Sequence, residues 1–422
     1  MLSIEENDKI TQTGPGTPMG NLFRRFWIPA LLSSEIPERD DNPVRFMLLS
    51  ERLIAFRDTT GRIGILEERC PHRHASLYWA RNEDSGIRCV YHGWKFDVDG
   101  NCGDQPAEPA TSTFKDHLKA IAYETHESGG IVWVYMGPKD KTPPFPHFEW
   151  TLLPEGHFVA HKRMQMCNYL QNLEGELDTA HLNFLHRSWK PGEEDFMPDA
   201  DYRRKKYLLS ETDFGLLCMA RSDEPNDEYY WRMTPFHLPS FTLIPGPYEA
   251  ANTLTGAIPI DDTHMWGFTV TWHADRPLNE QELRMANGGA GSAVAVDEKT
   301  FIPVANYGND FMRDKQKMRD GSWTGIPGVR LQDIAVQEDQ DGPICRRWEE
   351  HLGTTDRAIV GARRLLINLA DRLAEGIEPP QVQPPEAFRI RSVAVNGPRG
   401  TDPLELWREG QPVQTTTLSP AS

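Results

Sequence analysis

The sequence predicts an α+β chain: a small antiparallel β unit first, then a larger unit of curved antiparallel sheet and helices. Three observations carry this. Between residues 44 and about 137, short apolar runs alternate with glycine turns, the pattern of a compact β-sandwich or barrel. A stretch with three prolines, 139–146, then breaks the chain. Beyond it, two apolar stripes at helical spacing flank a second group of strands: Leu170, Leu173, Leu177 and Ala180, and later Ile359, Ala362, Leu366, Leu369 and Leu373.

Taken in order, residues 1–43 form an N-terminal arm. It has a Gly/Pro-rich loop at 11–20 and an aromatic, basic segment at 21–29 that reads as a docking arm. The first unit is placed at 44–145. Its strands are 46–49, 53–56, 63–66 and 131–136, with turns at 58–61, at Asp99-Gly100 and at 128–130. The second unit is placed at 146–376. It opens with a helix over the leucine stripe, continues through strands at 216–219, 229–233, 241–244 and 265–272, and has an irregular stretch at 274–330. A long helix ends near Glu375, and 377–422 is a tail.

Composition narrows the class. At 422 residues each unit can hold a core. The net charge of −17 disfavours nucleic acid, whose phosphates need a basic face. Apolar runs are strand-sized, which disfavours a membrane span, and the acidic start 1–8 lacks a signal-peptide core. Of six cysteines, Cys102, Cys167, Cys218 and Cys345 are scattered, as expected of reduced thiols in a cytoplasmic protein.

The chemistry centres on Cys70-Pro71-His72 and, sixteen residues on, Cys89-Val90-Tyr91-His92. Each half offers one thiolate and one imidazole. In a two-iron cluster the pairs interleave, Cys70 and Cys89 on one iron, His72 and His92 on the other, which is the Rieske [2Fe-2S] arrangement. Structural zinc usually groups Cys with Cys and His with His, so the mixed halves argue against it. His74 reads as a surface or supporting residue. A second constellation follows at Asp178, His181 and His186. The histidines are five apart, about 140° around a straight helix, so they share a metal only if the helix breaks between them. Two histidines and one carboxylate make the facial triad that holds Fe(II) with open positions. An acidic run such as 338–341 is usually a solvated turn, but segment 336–343 resembles the E-D segment of Rieske non-haem iron oxygenases, and that resemblance implies Asp339 as the carboxylate, then Asp341, then Glu338. Arg203 and Arg204 lie in a basic run that is usually a solvated face; one of them reaching a substrate carboxylate is the sharper option.

The cluster segments 70–77 and 89–97 resemble those of Rieske non-haem iron oxygenases of the phthalate-dioxygenase-like branch, which includes aromatic O-demethylases. Respiratory Rieske proteins carry an additional cysteine in each loop; Ala75 and Tyr91 stand at those positions. The resemblance extends from about residue 10 to 375. It implies a helix-grip catalytic domain and makes Asp178 the bridge between His92 of one subunit and His181 of the next. It further implies a homotrimer or stacked hexamer. Electrons would come from a separate NAD(P)H-dependent reductase, directly or through a ferredoxin, since no flavin or nicotinamide fingerprint is present. The implied reaction is oxygen insertion from O2 into an aromatic carboxylate, by cis-dihydroxylation or O-demethylation. A Rieske electron-transfer protein without oxygenase chemistry is the alternative; it would not need His181 or His186.

Overall fold

The computed structural model describes residues 1–187, 206–246, 250–287, 291, 293–383 and 385–412. Arg203 and Arg204 lie outside them. The architecture is α+β.

Alternating apolar residues give the first unit a six-stranded antiparallel sheet, ordered Trp27–Leu32, Ile131–Tyr135, Ala122–Ser128, Ile63–Glu67, Glu51–Arg57 and Val44–Leu48. The arm therefore does more than dock, because Trp27–Leu32 is an edge strand paired with Ile131–Tyr135. A four-stranded sheet follows: Arg81–Glu83, Gly86–Arg88, Lys95–Phe96 and Cys102–Asp104. The sheets share a core in which Ile54, Phe56 and Leu66 of one meet Ile87 and Phe96 of the other, with Leu77 and Trp94 between. Both cysteine-bearing loops leave from this core.

The second unit is an eight-stranded antiparallel sheet. Its order is Phe158–Gln165, Met265–Trp272, Asn252–Pro259, Phe241–Ile244, Glu228–His237, Gly215–Glu224 and Lys206–Glu211; Val393–Pro398 from the tail pairs Glu228–His237. The tail also supplies the helix Pro403–Glu409, whose Trp407 is buried beside Phe214 and Met233. The long helix Arg357–Ala374 buries Ala362, Leu366, Leu369 and Leu373, four of the five predicted stripe residues; Ile359 is only half-buried. The stretch expected to be irregular, 274–330, holds helices Glu280–Asn287 and Lys315–Arg319 among its loops.

The two units meet at a buried lysine. Lys162 Nζ lies 2.9 and 3.0 Å from the Glu35 carboxylate oxygens. The same ammonium sits 4.2 Å from the ring centre of Trp266 and 4.6 Å from that of Phe301. Paired and ringed by aromatic faces, the charge is compensated as burial demands. Backbone N–H groups of Leu49 and Ser50 also donate to the carbonyls of Pro259 and Ile260.

Candidate metal centres

The two cysteine loops have one conformation. Cys70 N–H donates to Ala75 O and His74 N–H to Cys70 O; in parallel, Cys89 N–H donates to Trp94 O and Gly93 N–H to Cys89 O. The fifth residue of each loop is left-handed, His74 with φ 58° and Gly93 with φ 78°. This explains the third histidine: His74 holds the turn position that glycine holds in the second loop, and its side chain is exposed. Glycine is needed at 93 for a further reason, since a Cβ there would lie 2.6 Å from Pro106 Cγ.

These loops bring like ligands together. The thiols of Cys70 and Cys89 are buried and hydrogen-bonded to each other. Sharing that bond pushes the Cys70 thiol up and the Cys89 thiol down. The rings of His72 and His92 are 4.4 Å apart, and His72 stacks on Trp94 at 4.2 Å. Among the described residues, His72 Nδ1 is buried without a hydrogen-bond partner. An orphaned imidazole nitrogen beside a second imidazole, and a coupled thiol pair, suit a group that takes two sulfurs on one side and two nitrogens on the other.

The second centre is assembled from distant segments. The helix Tyr169–Leu177 stops at Asp178, whose backbone is extended, and a single turn, Leu182–Leu185, follows. The sequence places the break between the histidines; the helix instead ends before His181, and the two histidines flank the next turn. Their ring centres are 5.1 Å apart. The carboxylate brought to them is Asp333, at 3.0 Å from His186 Nε2 and 3.5 Å from His181 Nε2. Among the described residues this is the one set of three or more such side chains with all ligand atoms within 4.8 Å of one another.

The expectation of Asp339 as the carboxylate is corrected. Asp333 lies on the helix Val329–Glu338, and Asp339 is the exposed residue that ends it. Six residues on, Asp339 is about 120° away around the helix axis. The other two candidates are engaged elsewhere: Asp341 pairs with Arg346 at 2.7 Å, and Glu338 accepts from Met166 N–H at 2.8 Å. This helix escapes sequence periodicity because its inward stripe is polar. Arg330, Leu331, Asp333, Ile334, Gln337 and Glu338 are buried, so the spacing is helical but the residues are mostly not apolar. Polar residues at three- and four-residue intervals in 330–338 were the available signal.

Polar contacts seat that helix. At Gly175 a Cβ would lie 2.3 Å from Gln337 Nε2, so the helices Tyr169–Leu177 and Val329–Glu338 can touch there. Gln337 Oε1 accepts from Gln165 Nε2 at 2.8 Å and from Asn172 Nδ2 at 2.9 Å, while Arg330 pairs with Glu176. Behind them, buried Glu174 receives Arg347 at 2.9 Å and Arg363 at 2.6 Å. Burial opposes the Glu174 charge, yet the two guanidinium groups hold its carboxyl below the ordinary range.

The electrostatics favour a cation. Burial works against the Asp333 carboxylate, but His181, His186 and Arg330 outweigh it and keep the group well below the usual range. Burial also opposes an imidazolium at His181, yet Asp178, 3.3 Å from Nδ1, and Asp333 hold it up to about 9. One buried carboxylate, Asp333, between two imidazoles, with Nε2 of each histidine turned to one of its oxygens, matches the donor set of a non-haem Fe(II) site.

Comparison with known proteins bears on both units. Residues 26–115 match the Rieske [2Fe-2S] domain and residues 134–388 the "LigXa C-terminal domain like" family. The chain is 38% identical to the phthalate 4,5-dioxygenase oxygenase subunit of Pseudomonas putida, over 87% of this chain and 86% of that one. It is 35% identical to the 3-chlorobenzoate-3,4-dioxygenase oxygenase subunit of Comamonas testosteroni, over 95% and 97%. In fold it is similar to the crystal structure of dicamba monooxygenase, with a TM-score of 0.59 at 17% identity, covering 84% of this chain and 99% of that one. Among the described residues no helix is long and apolar enough to cross a membrane. A Rieske domain joined to a LigXa-like domain, in a chain this close to relatives along nearly its whole length, places the protein in the family of Rieske non-haem iron oxygenase subunits.

Proposed function

We propose that this chain is the terminal oxygenase of a system that dihydroxylates an aromatic carboxylate, with His181, His186 and Asp333 holding the catalytic iron and Cys70, His72, Cys89 and His92 holding the cluster. The convergence of His181 Nε2, His186 Nε2 and Asp333 Oδ1 carries the reading. An electron-transfer protein would have no use for a second centre built from two distant stretches of chain. The similar proteins are named dioxygenases of phthalate and chlorobenzoate, which points to an aromatic acid and to incorporation of both oxygen atoms.

Bound iron supplies the activation of O2, and the cluster supplies electrons one at a time. The protein's own share is positioning. Asp178 orients His181 through Nδ1, and in an assembled ring it faces His92 of the neighbouring subunit, making a short path between centres in separate units. A head-to-tail trimer, alone or stacked as a hexamer, supplies that neighbour; a heterologous interface closes into such a ring. The balanced reaction takes the arene, O2, two electrons and two protons to a cis-dihydrodiol. The electrons come from a separate NAD(P)H-dependent reductase, directly or through a ferredoxin.

The decisive experiment is EPR of the dithionite-reduced protein with iron and sulfide counts, then product analysis on a panel of benzoic and phthalic acids. A rhombic Rieske signal, about three irons per chain by the two-plus-one cofactor count, and a diol product are expected. Formaldehyde from methoxylated acids without any diol would replace dihydroxylation by O-demethylation. A colourless zinc protein would overturn the reading.

A further inference from the structure

His181 and His186 are oriented by different chemistry. Behind His181 stands the Asp178 carboxylate. Behind His186 stands a neutral amide: His186 Nδ1 is 2.9 Å from Gln332 Oε1. Gln332 immediately precedes Asp333, so one helix presents both the carboxylate at the centre and the amide behind one of its histidines.

The orientation of that amide is not arbitrary. Its nitrogen, Gln332 Nε2, donates to the Ile326 carbonyl at 3.0 Å. A carbonyl can only accept, so the amide NH2 must face Ile326 and its oxygen must face His186. With an acceptor fixed at Nδ1, the imidazole keeps a proton there, so a metal bound between Nε2 and Asp333 would find the Nε2 lone pair available. The carbonyl is itself held by a tight loop. Gly325 and Gly328 have φ of 72° and 78°, and Ile326 N–H donates to Thr324 Oγ1 at 3.1 Å.

We infer that Gln332 is the positioning residue of the catalytic metal centre. It fixes the tautomer and ring angle of His186 and ties both to the carbonyl of Ile326. The inference rests on the reading of His181, His186 and Asp333 as metal ligands. Removing partners of this kind typically costs about 10–100-fold in metal affinity.

The test uses the full-length protein with its cluster intact and the catalytic metal removed, titrated with Co(II) alone. Gln332→Leu keeps the bulk but has no acceptor; its dissociation constant for Co(II) is expected to rise about 10–100-fold, with an altered visible d–d spectrum. Gln332→Glu keeps an acceptor for Nδ1 and is expected to recover most of that affinity and the wild-type spectrum. The cluster EPR signal is expected to be unchanged in both, which reports that the chain is folded. Wild-type affinity in Gln332→Leu, or equal losses in the Leu and Glu variants, would overturn the inference. His186→Ala separates the two levels. If it binds Co(II) as the wild type does, the metal-site reading fails and takes the inference with it; if it loses Co(II) while Gln332→Leu does not, the role of Gln332 alone fails.

Discussion

The two centres are built on opposite plans. The cysteine loops are local: each is a six-residue turn with its own closing hydrogen bonds, and each brings one sulfur and one imidazole. The His181–His186–Asp333 centre is tertiary. Its carboxylate comes from roughly 150 positions further along the sequence and reaches the histidines only because two helices pack through buried polar side chains. A local motif survives so long as its turn can form, whereas an assembled site depends on everything that seats its helices.

The sharpest way to break the contrast is to remove a ligand. Asp333→Ala is expected to abolish catalytic iron and turnover while leaving the reduced-cluster EPR signal intact. Asp339→Asn, at the exposed helix end, is expected to stay within about twofold of wild type, as surface changes do. Iron counts and EPR on both variants decide whether the carboxylate is the one the geometry selects. Next in size is Asp178→Asn. It removes the charge behind His181 and is expected to slow reoxidation of the reduced cluster by O2 and substrate about 10–100-fold, as followed by stopped-flow absorbance.

Seating of the helices gives a third test. Arg347→Met leaves buried Glu174 with one guanidinium fewer, a loss of about 3–5 kcal/mol of the kind seen when a buried pair is broken, measurable by denaturant unfolding. The same pair sets an acid limit. The folded Glu174 carboxyl titrates below its ordinary value of 4.5, so its stabilisation is complete above that pH and is lost as pH falls through the folded value. Thermal scans between pH 6 and 3 should show the midpoint falling in the acid direction, and Arg347→Met should flatten that fall. Smallest are the effects in the loops. Gly93→Ala forces a side chain into a left-handed position and against Pro106, costing about 1–2 kcal/mol or more. His74→Gly is expected to keep the cluster and to change stability by less than about 1 kcal/mol; loss of the visible chromophore would show that the two loops are not equivalent.

Legibility in the sequence follows the same division. The meeting of Cys70 with Cys89 and of His72 with His92 could be read because short spacing is itself the structure. Strands such as Phe241–Ile244 and Met265–Trp272 were legible because they are apolar runs bounded by turns. Helix geometry alone asks for a break if the two histidines are to meet, but it puts that break between them, whereas the helix ends before His181. Asp333 could not be read, because the helix that carries it turns arginine, aspartate, glutamine and glutamate inward, and hydrophobic periodicity is blind to a polar interior face. The acidic run 338–341 was favoured by its resemblance to the family's E-D segment, yet those side chains face solvent or bond elsewhere. The strand Trp27–Leu32 was hidden for another reason: its pairing partner lies about 100 residues away.

The buried lysine between the two units bears on how such chains can be recombined. Lys162 belongs to the second unit and Glu35 to the first, and the buried lysine charge is not tolerable at that depth without the acid. A hybrid that takes its first unit from one relative and its second from another must therefore match at these two positions, or lose both the acid and the base together. Grafts that carry Glu35 and Lys162 as a set should fold; grafts that split them should accumulate as insoluble protein, whatever the quality of their metal ligands.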